Sequence, residues 1–336
     1  MVVFIILTSA LSVAVKSENA ESRKDSISAR EEFRIEMGKR QDALKELFRN
    51  DKNLAHNFGI VLIICLGILL SGVYFLTSYI TDKIRGKERL PRTLDTPEAL
   101  WSIGDVFKAV IFFIFFHRVF SAVVYVLQSL AAKDLIDLRL DMAASTLIMD
   151  VMIFLFVLRV VKFRYKQGLD ALGLSFKDIV LNIRAGLYLY VAFLPVLAVI
   201  LLGVLSLARL FDYVPPIQPV HELIFKEHRP AAILLISFLI ALIGPFIEEV
   251  FFRGFLYSAF KKKAGILCAV LLSSFLFAFL HGNFLGFVPI MFLGVLLAYL
   301  RERTGSLVPS IAVHVVHNSV LAVMMFFVRE LTSNVL

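Results

Sequence analysis

The sequence predicts an all-α fold, a polytopic bundle of about eight transmembrane helices. Three observations carry this reading. Hydrophobic residues make up 59% of the 336 positions, Phe alone occurs 32 times, and mean hydropathy is +0.83. Charged residues reach only 18%, short of the roughly one quarter usual in soluble domains. Apolar runs also recur that approach or exceed the ~20 residues needed to cross ~30 Å of hydrocarbon.

Taken in order, residues 1–15, "MVVFIILTSALSVAV", form a short apolar stretch with small residues at Ser9, Ala10 and Ala14, a signal-like or anchor segment. No Lys or Arg precedes its apolar part. Residues 16–57 are polar, with nine basic and nine acidic positions between 17 and 57. Helix formers dominate there, so a charged helical stalk is expected, either solvated or docked on a partner. The candidate spans follow at 58–80, 107–131, 142–162, 185–210, 231–255, 264–281, 285–300 and 307–328. Two blocks result: N-terminal transmembrane helices over 58–164 and a second helical block over 165–330.

Charge distribution orients the bundle. The segments 83–104, 162–184, Lys261 to Lys263 and Arg301 with Arg303 hold fifteen basic residues, against five in the alternate connections. The positive-inside rule then places 83–104 in the cytoplasm and the C-terminus outside. With the signal-like start, the expected location is a bacterial cytoplasmic (inner) membrane, crossed several times. The net charge of +8 does not indicate nucleic acid, because the basic residues sit between spans and form no groove interleaved with aromatics. Cys65 and Cys268 lie inside apolar runs and suggest neither a disulfide nor a thiolate metal site.

Three polar constellations fall within the later apolar runs. Glu248-Glu249-Val250-Phe251-Phe252-Arg253 comes first. Glu249 and Arg253, four apart on a helix, can pair, while Glu248 projects about 100° away. A carboxylate set in an apolar bundle suits a general base, and a structural Glu–Arg lock is the competing reading. Phe277 and His281 share a helical face, where the histidine can be a functional group or a helix-end cap. His314, His317 and Asn318 lie at spacings of three and four on one face. Such side chains can donate to an oxyanion, ligate zinc, or bond neighbouring helices together. Counted from the basic ends, His314 and Asn318 lie roughly 10 and 16 Å deep, Glu248 about 20 Å and His281 about 25 Å. Arg118 and Asp150, about 12 Å in from opposite faces of neighbouring spans, are expected to form a structural pair.

The motifs EExxxR, FxxxH and HxxxN in this order resemble the CPBP intramembrane proteases, the CAAX-prenyl-protease and bacteriocin-processing family also called Abi. "GLDALGLSF" at 168–176 is similar to that family's common lead-in, and the resemblance covers about 165–330. It implies an intramembrane endopeptidase in which Glu248, helped by His281, activates a water. His314 and Asn318 would hold the oxyanion, and Glu249 and Arg253 would shape the site. His317 is no motif position and is expected to support its neighbours. The family implies glutamate-type catalysis with no cofactor required, while the Glu and His content leaves zinc open. The implied partners are the lipid bilayer and a membrane-anchored or lipidated peptide substrate. Competing readings are a catalytically silent membrane scaffold or immunity protein on the same fold and, without any inverted repeat of broken helices, an ion-coupled transporter.

Overall fold

The computed structural model describes residues 46, 49, 50, 52–90, 92–130, 138–211 and 229–333. The signal-like segment and most of the stalk lie outside the described residues. Those described are helical with no strand among them. Helix α1 is Lys52–Ile84, α2 Ile103–Leu130, and α3 Leu138–Leu158, which runs on into a π turn at Arg159–Arg164. After a 3-10 turn at Leu169–Leu172 comes α4, Ile179–Leu210.

One helical stretch then runs from Pro230 to Leu280, 51 residues. It comprises α5 (Pro230–Phe238), a π turn (Leu239–Ile243), α6 (Gly244–Glu249), a second π turn (Val250–Leu256) and α7 (Tyr257–Leu280). Helices α8 (Phe287–Thr304) and α9 (Val308–Ser333) complete the chain.

Five of these stretches are long and apolar enough to cross a membrane. The expected spans 231–255 and 264–281 share the longest of them. They are separated at Gly265, whose φ of 79° and ψ of 176° suit glycine alone. The two limbs fold back on each other there, because the rings of Phe252 and Phe277, on either side of the break, meet at 5.2 Å. The expected spans 142–162 and 285–300 are helical too, but fall outside the five; α8 has only 18 residues and carries Arg301, Glu302 and Arg303 in its last turn.

Two cores hold the helices. Val106, Ala109, Met149, Val157, Leu172, Phe255 and Phe277 belong to one, which joins α2 and α3 to the two limbs. The other joins α4, α8 and α9 through Leu189, Tyr190, Leu297, Leu300 and Val313. Helix α1 packs on α4 at Gly72, where a Cβ would fall 2.5 Å from the Val191 carbonyl oxygen. Close backbone approach of this kind is how helices associate in lipid, where no hydrophobic force drives them together.

The basic connections gather at one end and are tied to each other as a collar. Backbone N–H groups of Thr93 and Leu94 donate to the Thr304 carbonyl at 3.0 and 3.1 Å, and Leu307 N–H donates to the Gly173 carbonyl at 2.8 Å. Buried Arg301 donates from Nη1 to the Gly305 carbonyl (2.6 Å) and Thr96 Oγ1 (3.1 Å). Lys262 Nζ reaches the Ala99 carbonyl, and Trp101 Nε1 donates to the Phe255 carbonyl at 2.8 Å inside the second π turn. Helix α2 leaves the collar at Ser102, whose N–H and hydroxyl both donate to Asp105 Oδ2 at 3.0 Å.

The expected Arg118–Asp150 pair is not formed. Arg118 is exposed on α2, whereas Asp150 is buried at 6% exposure and faces inward from α3. A three-carbon arginine stem can reach outward to polar surroundings, but the short Asp side chain stays where its helix face puts it.

Candidate active site

The three constellations come together in the fold. Glu249 and Arg253 are fully buried, and Arg253 Nη1 donates to Glu249 Oε1 at 2.8 Å, as their spacing predicts. His314 of α9 donates from Nδ1 to the same Glu249 oxygen at 3.0 Å. With Nδ1 occupied in this way, its Nε2 turns towards Glu248 Oε2, 3.7 Å away. Two adjacent carboxylates therefore receive two nitrogens of one imidazole, Glu249 at hydrogen-bond distance and Glu248 just beyond it.

His281 is fixed by a local bond. Its Nδ1 lies 2.7 Å from the Phe277 carbonyl oxygen, which can only accept, so the proton sits on Nδ1 and Nε2 is left as an acceptor. The Phe277 ring is a common wall. It meets His281 at 4.5 Å and His314 at 5.5 Å edge-on, and the Arg253 guanidinium lies 4.1 Å from its centroid. Arg253 Nη2 also approaches the Gly294 carbonyl at 3.4 Å; a Cβ on Gly294 would press on Ser274 and on that guanidinium.

Asn318 is placed by the first π turn. Gly244 N–H donates five residues back to the Leu239 carbonyl, and the next residue, Pro245, has no N–H to give. The Ile240 carbonyl is thereby deprived of its helical donor and accepts instead from Asn318 Nδ2 at 3.1 Å. One N–H of the Asn318 amide remains for another acceptor. His317 faces elsewhere: its Nδ1 lies 2.9 Å from the hydroxyl of Tyr190 on α4, a residue the motifs do not reveal.

Glu248 and His281 both border a cavity of about 380 Å³ between α2, α3 and the two limbs. Its other lining side chains are apolar apart from Asp150, and include Phe107, Phe113, Phe251 and Phe260. His281 thus reaches the same space as Glu248 despite its greater depth in the residue count. Among the described residues no three His, Cys, Asp or Glu side chains group as a metal ion needs, and the Glu249 oxygen that faces His314 is already committed to Arg253.

Residues 230–320 match the family model described as Rce1-like, type II CAAX prenyl endopeptidase. No curated protein and no solved structure matches the chain. The matched segment opens with α5 and takes in Glu248, Glu249, Arg253, His281, His314 and Asn318, so it spans the whole cluster just described. Over residues 230–320, then, this integral membrane chain is similar to the type II CAAX prenyl endopeptidase family.

Proposed function

We propose that the chain is an intramembrane endopeptidase that hydrolyses a peptide bond in a lipidated or membrane-anchored substrate. The observation that carries the reading is the opening of Glu248 and His281 into an apolar cavity, with His314 directly behind Glu248. An apolar space into which the Glu248 carboxylate and an imidazole acceptor open together suits a single water beside a desolvated peptide.

The chemistry then runs on this chain's own groups. A water held by Glu248 and by Nε2 of His281 gives a proton to Glu248 as its oxygen bonds to the scissile carbonyl carbon. The carbonyl oxygen becomes an oxyanion, held by the remaining N–H of Asn318 and by the His314 imidazole. Glu249 and Arg253 hold the His314 ring in place from its Nδ1 side. The C–N bond breaks as Glu248 returns the proton to the amine nitrogen. No metal enters these steps.

The family description names prenylated substrates, and a cavity walled by aliphatic and phenyl groups suits an isoprenoid or acyl chain. The decisive experiment compares new protein termini in membranes from cells making wild type or Glu248→Ala at equal levels. Termini that need Glu248 identify a protease and its substrate; Glu248→Ala should reduce them by roughly 10²-fold or more. Matching profiles would leave the fold as a non-catalytic scaffold.

A further inference from the structure

Glu248 and His281 have a third polar neighbour in the cavity. Asp150, on α3, lies outside the segment that matches the family, and among the described residues no hydrogen bond or ion pair holds it. It lies close enough to Glu248 for their charges to act on one another. A carboxyl group in an apolar bundle is costly, and Arg118, the cation that could have offset that cost, faces outward. Among the described residues, then, no cation pairs with it.

A substrate entering this cavity brings a different demand. A peptide drawn out of water carries backbone N–H groups, each of which needs an acceptor. Among the described lining side chains only Asp150, Glu248 and His281 offer polar atoms, and the last two are occupied by the water in the proposed reaction. We infer that Asp150 is a substrate-binding residue whose carboxyl oxygen accepts a backbone N–H beside the scissile bond. Helix α3 would thus complete, from the N-terminal half, a site otherwise built by residues 230–320. The inference rests on the protease reading.

The test uses the full-length protein. Wild type, Glu248→Gln, Asp150→Asn and Asp150→Leu are expressed at matched levels, new membrane-protein termini are quantified, and each purified protein is melted in one detergent. Asp150→Asn keeps an acceptor oxygen and should retain cleavage within about threefold, whereas Asp150→Leu should lose about tenfold or more. Asp150→Leu should also melt no lower than wild type, since a leucine fills the same space without a buried acid. Cleavage by Asp150→Leu at the wild-type level overturns the inference, as does a loss matched by loss of folded protein, or an equal loss in Asp150→Asn. Wild-type and Glu248→Gln profiles that coincide would instead remove the protease reading, and this inference with it.

Discussion

At the scale of single residues, the site is governed by how buried charge is shared. Glu249 Oε1 receives both Arg253 and His314, while Glu249 Oε2 is buried with no hydrogen-bond partner among the described residues. A buried ion pair adds little net stability when made, but removing one partner leaves the other uncompensated. Arg253→Met should therefore destabilise the protein by about 3–5 kcal/mol, and Glu249→Gln in the same chain should recover most of that loss. Thermal unfolding in detergent distinguishes the two; a single variant as stable as wild type would refute the coupling. The pairing of Glu249 with Arg253 was legible from their spacing. The engagement of His314 with Glu249 was not, because it joins α6 to α9 across 65 positions of sequence. Asp150 was misplaced for a related reason: depth in a span can be counted along the chain, but the face of α3 that turns inward is fixed by its neighbours.

At the scale of elements, the two π turns do what regular helix could not. The first leaves the Ile240 carbonyl without a helical donor, and Asn318 answers it. Asn318→Ala should cost about 1–3 kcal/mol, the penalty for an unsatisfied buried acceptor. Adding Pro245→Ala restores an N–H close to that carbonyl and should return more than half of the loss, again read by thermal unfolding. If Asn318→Ala is neutral, the carbonyl is satisfied in another way. Pro245 was the available signal, since a proline inside an apolar span always withholds one donor. Hydropathy located every one of these helices but could not detect the widened turns, which leave the apolar pattern unbroken. The FxxxH spacing, for its part, describes a bonded unit: the carbonyl of the first residue fixes the tautomer of the second, and its ring forms the wall beside it.

For the whole molecule, the collar shows that the connections grouped by their basic residues do share one end of the bundle. Many of those cations are engaged there. Arg303 pairs with Glu88 and Arg89 with Asp82, Lys261 reaches Glu302 at 2.7 Å, Lys83 donates to Tyr299 and Arg301 to Gly305. The same residues therefore act at two moments in the life of the protein. While the chain is being inserted they are unpaired, and their bare charge can decide which way each hairpin enters the bilayer. Once it is folded, part of that charge is paired with acidic, hydroxyl and carbonyl partners in the collar. Orientation and stability should then separate by mutation. Neutralising an acidic partner, as in Glu302→Gln, should lower the unfolding temperature yet leave cysteine-labelling sidedness unchanged, because the cations that steer insertion remain. Replacing the cations themselves should disturb both. A chain of this kind spends its topological information during synthesis and reuses the same atoms afterwards as mortar.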